Sequence, residues 1–407
     1  MQLHTNRQLI DYLQEESHAQ QAEIVGIRRH LHQYPELSFE EQATAAYVAG
    51  WLSRWQIPFK AGVGGYGLVG LIEGQAGKGA CIALRADMDA LPIEEANMTD
   101  YRSRHAGVMH ACGHDVHTAS LLGAARLLQQ LRQHFRGSIK LLFQPAEEKT
   151  PGGASLMIRD GALKAPAPAA IIGQHVHPPL ACGRVGFRPG IFMASTDELY
   201  LRVQGRGGHG AIPQDTIDPI AITAQIITAL QQLVSRRADP TIPSVLTFGH
   251  IASTGGSTNV IPREVKLKGT FRTLDEPWRA EAHRLMQQMA EGIAAAMGAQ
   301  AELIIDKGYP FLKNDELLTE RLRSSARAYL GDEQVVELPI RMTGEDFAWY
   351  THELPGCFYR LGTGNPAKGI VSQVHTDTFD VDEDCFYHST GLMAWLALQE
   401  LNHRNQG

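Results

Sequence analysis

Short apolar runs alternate in the first half of the chain with stretches whose apolar residues recur at helical spacing. Cys81 to Ala86 is a compact apolar run ending at Arg85, Asp87 and Asp89, which predicts a short buried strand with an acidic C-terminal end. From Val116 to Phe135, Leu121, Leu122, Ala125, Leu128 and Leu131 recur every three or four positions with Arg126, Gln129, Gln130 and Arg132 between them. That spacing predicts an amphipathic helix, and Gly137 is placed to stop it. Ser138 to Phe143 predicts the next strand, closed by Pro145 in the run Gln144-Pro145-Ala146-Glu147-Glu148. Gly153 to Leu163 predicts a helix, and Ala169 to Gly173 a third strand that runs out into Gln174-His175-Val176-His177-Pro178. Strands alternating with helices imply right-handed crossovers in a mainly parallel sheet, whose sites gather beyond the carboxyl ends of the strands. Asp87, Asp89, Glu147, Glu148 and His175 are therefore expected in one cleft.

The texture changes near residue 186. Thr196 to Gln204 alternates as a strand, Ile217 to Val234 is helical, Ser244 to Ile251 and Val265 to Thr273 are strands, Trp278 to Met297 is helical and Ala301 to Asp306 is a strand. This is the β-α-β-β-α-β order of a ferredoxin-like α+β unit. The chain is thus expected to be an α/β protein: a mixed, mainly parallel sheet flanked by helices, built from residues 1–186 and 308–407, with an α+β domain inserted over 187–307.

Composition narrows the function. The 407 residues carry 37 Lys plus Arg against 44 Asp plus Glu, a formal charge of -7 with no basic surplus to meet a phosphate backbone, so nucleic acid is not an expected partner. No uninterrupted apolar run reaches the roughly 18 residues of a membrane-spanning helix, and the charged N-terminal stretch lacks the apolar core of a secretory signal. Cys81, Cys112, Cys182, Cys357 and Cys385 are an odd, scattered set without a C-x-x-C pair, which points to a reducing cytoplasm rather than a disulfide framework. Of the 18 histidines, four fall between His105 and His117.

That cluster lies in Met109-His110-Ala111-Cys112-Gly113-His114-Asp115-Val116-His117. Cys and His two apart, with glycine between, can turn a thiolate and an imidazole to one side, a pair suited to a borderline transition metal. The segment also reads as a buried thiol beside a helix that Asp115 caps, or as a Cys112 nucleophile with a His114 base. Glu147 and Glu148 follow a buried strand directly. Adjacent side chains diverge, so one can hold a metal while its neighbour faces the water of a hydrolysis. His175, His177 and His375 are structural by default when taken singly, and Asp382, Glu383 and Asp384 read as a helix N-terminus. In the insert, the glycine-rich run around His209 lacks the phosphate-loop form, Asn259 fits a turn and Arg272 a strand end. Arg272 can equally grip a carboxylate while Asn259 donates to a substrate oxygen. One thiol, several imidazoles and two carboxylates converging at one sheet edge form the decisive pattern.

Together these segments resemble the M20 metallopeptidase family, in particular its amidohydrolase branch of N-acyl-amino-acid, hippurate and auxin-conjugate hydrolases. The likeness runs from Arg29-His30-Leu31-His32-Gln33-Tyr34-Pro35-Glu36-Leu37-Ser38 through Arg85-Ala86-Asp87-Met88-Asp89-Ala90-Leu91-Pro92, the Met109-to-His117 run, Gln144-Pro145-Ala146-Glu147-Glu148, Gly208-His209, Asn259-Val260-Ile261-Pro262 and Gly344-Glu345-Asp346-Phe347 to His375. The resemblance implies a zinc-exopeptidase-like catalytic domain with two divalent ions (Mn, Zn, Ni or Co) on Cys112, His114, Glu148, His175 and His375. Glu147 is implied as general base and the insert as a lid and dimerisation domain. His209 is implied to reach an active site, commonly the partner's, to stabilise the oxyanion, and Asn259 and Arg272 to contact substrate. Asp89 matches the acid that orients a metal histidine in other branches, with Asp87 standing in that histidine's place. His177, Gln214 and Asp377 replace residues that are often Trp, His and Pro. The implied reaction is hydrolysis of an N-acyl amino acid or related small amide by a cytoplasmic homodimer. A metal-independent thiol hydrolase and a metal-dependent small-ligand binder without turnover are the alternatives.

Overall fold

Thr5 opens the first helix: its hydroxyl accepts from the Gln8 N–H at 3.2 Å and its own N–H is answered by Gln8 Oε1 at 3.2 Å, a reciprocal cap that starts α1 (Asn6–Gln33). The computed structural model describes residues 5–406, so the outermost ends of the expected catalytic domain, residues 1–4 and 407, lie outside the described residues. In chain order the elements are α2 (Gln42–Arg54), β1 (Phe59–Val63), β2 (Gly67–Glu73), β3 (Cys81–Asp87), α3 (His114–Gln130), β4 (Ser138–Gln144), α4 (Gly153–Arg159), β5 (Ala170–Ala181) and β6 (Val185–Phe187). There follow β7 (Asp197–Gln204), α5 (Pro219–Gln232), β8 (Ser244–Ser253), β9 (Glu264–Thr273), α6 (Glu276–Ala296) and β10 (Gln300–Lys307). The chain closes with α7 (Glu316–Leu330), β11 (Val335–Glu337), α8 (Ala348–Glu353), β12 (Gly356–Gly364) and α9 (Phe386–Gln406).

These elements make two units. One runs through Phe192 and resumes over Lys313–Ile340 and from Asp346 onward; the other is Met193–Leu312 with Arg341–Glu345. The first holds an eight-stranded sheet in the order β1-β2-β4-β3-β5-β12-β6-β11. β3 pairs in parallel with β4 and with β5, β5 with β12 and β6 with β11, whereas the remaining neighbours are antiparallel. Every residue of β3 and of β4 is buried, as a parallel strand covered on both faces requires. Helices α1, α3 and α9 pack on one another, and Leu121, Leu128, Trp395 and Leu396 share a core with Ile82 and Leu84 of β3. The second unit is an antiparallel sheet in the order β8-β9-β7-β10 whose core is closed by Ile222, Ile226 and Leu230 of α5 and Leu285, Met286 and Ala290 of α6.

Two local expectations are corrected. The strand expected to end at Gly173 continues to Ala181, because β12 offers partners past that point, Arg360 to His175 and Gly362 to His177. Pro178 and Pro179 fall where the register shifts between Gly362 and Gly364, the irregularity at which a strand tolerates missing N–H donors. Helix α3 starts at His114, two residues earlier than the apolar period indicates, and its cap is Gly113 in the left-handed region (φ +79°) rather than Asp115. A Cβ on Gly113 would stand 2.6 Å from Val176 Cγ2, so glycine also permits the approach of β5. No helix among the described residues is long and apolar enough to cross a membrane.

Candidate metal centre

The parallel register of β3 with β4 sets Asp87 opposite Gln144, and that of β3 with β5 sets Arg85 opposite Gly173. The residues that leave β3 and β4, and those two positions further along β5, therefore stand at one end of the sheet. The start of α3 brings Cys112 and His114 to the same end. Donor atoms of Cys112, His114 and His175 lie within 4.8 Å of one another, as do those of Cys112, Glu148 and His375 and those of His114, Glu147 and Glu148. All six residues sit in the first unit, and they come from segments as far apart in sequence as Cys112 and His375.

Hydrogen bonds fix which atom each imidazole presents. His114 Nδ1 donates to Asp89 Oδ1 at 3.1 Å, which leaves Nε2 facing the cluster. Asp89 is itself held by the Ser38 hydroxyl (2.7 Å) and the Glu148 N–H (3.0 Å) on Oδ2. His175 Nδ1 donates to the Val176 carbonyl at 2.7 Å, and its Nε2 lies 3.4 Å from Cys112 Sγ. His117 belongs to the supporting layer instead. Its Nε2 accepts the Val176 N–H at 2.8 Å, so its Nδ1 carries the proton donated to Asp87 Oδ1 at 2.6 Å, and both ring nitrogens are taken. The two acids of β3's end thereby take distinct places, Asp89 behind His114 and Asp87 behind His117.

Two polar atoms in this cluster are buried and make no hydrogen bond among the described residues: His114 Nε2 and Glu148 Oε1. His375 Nε2 stands 3.3 Å from that Glu148 oxygen. A ring nitrogen on a fully buried imidazole is costly to leave without a hydrogen-bond partner, and it marks a position that a bound ligand would meet. A set of thiol sulfur, imidazole nitrogen and carboxylate oxygen is what a borderline divalent ion takes up. The residues present therefore fit a metal.

The electrostatics agree. Burial works against a charge on His114, but Asp87, Asp89 and Glu148 outweigh it and push its pKa to about 10. Burial, then Glu148, Glu147 and Asp87, hold the Cys112 thiol well above its usual range. Acids around Cys112 suppress its thiolate, the opposite of the electropositive setting of an activated thiol, and the imidazole that the thiol meets is that of His175 and not His114. His175, buried and near Arg360, is held well below its ordinary pKa as a neutral imidazole.

Glu147 is 6% exposed, and its Oε1 faces the Asp346 N–H at 3.4 Å. Behind it lies a buried polar layer built on Arg85, Gln144 and Asp346, none of them among the expected site residues. Arg85 donates to Gln144 Oε1 (2.9 Å), Asp87 Oδ2 (2.5 Å) and Asp346 Oδ1 (2.8 Å), and Asp346 Oδ2 accepts from the Ala154 N–H at 3.0 Å. The available signal was a guanidinium and a carboxylate inside an otherwise apolar strand, which only a buried partner explains.

The three residues expected from the insert lie in the second unit. His209 is exposed on a two-residue strand paired with Val260-Ile261; its Nδ1 accepts the Ala211 N–H at 3.1 Å. Asn259, exposed beside it, accepts the Gly210 N–H on its carbonyl at 2.7 Å. Arg272 stands apart from them on β9, half-buried, with Nε on the Thr270 hydroxyl at 3.1 Å.

The sequence profile of peptidase family M20/M25/M40 matches residues 83–399. An N-acetyl-L-cysteine deacetylase of Bacillus subtilis is 43% identical over 363 residues, 89% of this chain and 84% of the relative. An N-acyl-L-amino acid amidohydrolase of Geobacillus stearothermophilus is 44% identical over 300 residues, 72% of this chain and 79% of the relative. The crystal structure of a dinuclear metal-binding M20 peptidase from Bacillus subtilis superposes with a TM-score of 0.80 at 36% identity, covering 94% of this chain and 99% of the other. With the profile over most of its length and relatives of this identity, the chain belongs to the M20 peptidase family, as a metal-dependent amidohydrolase.

Proposed function

We propose that this protein hydrolyses the amide bond of N-acyl amino acids or closely related small amides. Cys112, His114, Glu148, His175 and His375 are the ligands of two divalent ions in this reading. The observation that carries it is the convergence of their donor atoms, two of which, His114 Nε2 and Glu148 Oε1, are buried and make no hydrogen bond among the described residues. Sulfur and imidazole suit Zn, Ni or Co, and the carboxylates admit Mn. Bound ions supply Lewis-acid activation of water and of the scissile carbonyl.

The protein's own part begins with Glu147, whose buried carboxylate takes the proton of the attacking water and hands it to the leaving amine. Asp89 and the Val176 carbonyl hold the two imidazoles in the tautomer that presents Nε2. The insert expected over 187–307 serves as lid and dimerisation domain. His209, with Nδ1 occupied, offers an Nε2–H to the tetrahedral oxyanion, from its own or a partner subunit. Arg272, with Nε committed to Thr270, keeps its two terminal nitrogens for a substrate carboxylate, and Asn259 contacts the substrate amide. The substrate class is supported by the N-acyl and N-acetyl amino acids for which the two relatives are named. Five free cysteines suit a reducing cytoplasm.

The test is release of free amino acid from a panel of acyl amino acids, with the metal content measured on the same batch. Glu147→Gln is expected to keep its metal and lose about 10²-fold or more in kcat. Full activity in that variant removes the mechanism, and no turnover of any acyl amino acid by the metal-loaded wild type removes the substrate class.

A further inference from the structure

Arg28, just before the segment Arg29 to Ser38 that opens the family likeness, is no ligand, yet it is the most enclosed charge of α1. The Arg28 side chain has no exposed surface, and a guanidinium is tolerated there only if its donors are met. They are met by three acids from two separate places. Nε donates to Asp115 Oδ2 at 2.7 Å, Nη2 to Asp380 Oδ1 at 3.1 Å and Nη1 to Glu383 Oε1 at 3.2 Å. Asp115 follows His114 at the start of α3, and the two other acids follow His375 on its own segment.

Phe379 and Val381 of that segment are buried in the core of the first unit, and its backbone accepts the Ala96 N–H on the Asp377 carbonyl and the Asn97 side-chain amide on the Phe379 carbonyl, each at 2.9 Å, but these ties fall beyond His375. Residues 371–382 form neither helix nor strand, and the His375 side chain is 52% exposed. His375 also has φ +64°, a conformation that a non-glycine residue keeps only when its surroundings impose it. Its N–H reaches the Ala111 carbonyl at 2.7 Å, which ties it to the Cys112 side of the cluster. On the far side, Tyr101 donates to Asp380 Oδ2 at 2.8 Å and Arg29 to Glu383 Oε2 at 2.6 Å.

We propose that Arg28 is a positioning residue of the metal centre: by bridging Asp115 to Asp380 and Glu383, it clasps the His375 segment against the helix start that bears Cys112 and His114. It touches neither substrate nor ion. The inference rests on the proposed ligand set, and metal binding rather than turnover is what reports on it, because supporting partners of a ligand shell commonly set 10- to 100-fold in metal affinity.

The experiment titrates Co(II) into metal-depleted full-length protein, following the ligand-field and thiolate charge-transfer bands and checking stoichiometry by equilibrium dialysis. His375→Ala is the reference. If it binds Co(II) as wild type does, the ligand set itself is wrong. With His375→Ala impaired, Asp380→Ala is expected to weaken the affinity about 10-fold or more, measured below the urea concentration and temperature at which the variant begins to unfold. Asp380→Asn, which keeps an acceptor for Arg28, is expected to stay within about 3-fold of wild type, and Arg28→Met to lose at least as much as Asp380→Ala. Wild-type binding in Asp380→Ala, or a loss that Asp380→Asn does not rescue, overturns the proposal. Should Arg28→Met not fold, the Asp380 pair alone decides.

Discussion

Glu41 is a carboxyl enclosed by protein, with one oxygen, Oε2, left without a hydrogen bond among the described residues. Its other oxygen accepts the Phe39 N–H at 3.0 Å and the Ala146 N–H at 2.7 Å, and so secures the left-handed Ala146 (φ +51°) that precedes Glu147. Burial first, and Asp89 second, push its pKa from 4.5 to about 7. The fold thus favours the neutral acid. Its contribution is fully present below pH 4.5 and is lost as pH rises through about 7. Glu41→Gln keeps the acceptor and cannot ionise. In metal-free protein the variant is expected to match wild type in urea unfolding at pH 5 and to exceed it at pH 8.5 by on the order of 2 kcal/mol. An equal difference at both pH values would show that packing, not ionisation, governs the site. Nothing in the local sequence Ser38-Phe39-Glu40-Glu41 announces this role, since the second partner is 105 residues away. Arg28 is illegible for the same reason: its partners lie 87, 352 and 355 residues on. The proposed ligands are legible as candidates, because thiol, imidazole and paired acids at strand and helix ends are unusual without chemistry to perform.

At the scale of elements, apolar periodicity located most strands and helices to within a few residues. Thr196 to Gln204 was expected and Asp197–Gln204 is found; Trp278 to Met297 was expected and Glu276–Ala296 is found. Period does not report what fastens an element. Asp197 opens β7 fully enclosed, and Arg279 of α6 grips it with Nη2 on Oδ1 at 2.6 Å and Nε on Oδ2 at 3.0 Å. His283, one turn on, reaches Oδ2 at 2.7 Å, and Arg279 Nη2 also donates to the Thr196 and Gly308 carbonyls at 3.0 Å. One face of α6 is thereby pinned to the first residue of β7, and burial of Asp197 is outweighed by His283 and Arg279, which lower its pKa. Asp197→Ala takes from the buried Arg279 the more enclosed of its two carboxylates, leaving only Glu276 at 3.1 Å, so a loss of about 3 kcal/mol is expected in the unit that contains it. Amide exchange should accelerate across β7 and α6 together. If only the residues next to position 197 exchange faster, the pair is a local cap and not the fastening of the helix.

For the molecule as a whole, the ligand cluster makes folding, metal and protons one linked system. Without a cation, the first unit gathers Asp87, Glu147 and Glu148 around Cys112 and His114, and the cluster retains protons that free side chains would have shed: His114 at a pKa of about 10, Cys112 with its thiol raised further by the same acids. On the proposed ligand set, an ion that takes His114 Nε2 and Cys112 Sγ must displace a proton from each, so binding near pH 8 is expected to release about two protons per protein chain. Apparent affinity then falls about 100-fold for each unit the pH is lowered. Because only the folded chain assembles this cluster, a metal present at 100 times its dissociation constant adds about 2.7 kcal/mol to stability. That gain should shrink steeply toward pH 6 as the same concentration ceases to saturate. Calorimetric titration in two buffers of different ionisation enthalpy gives the proton count, and thermal melts with and without metal across pH 6–8.5 give the stability. Tight binding with no proton release would mean that the ion enters through the carboxylates alone, with the thiol and His114 still protonated beside it.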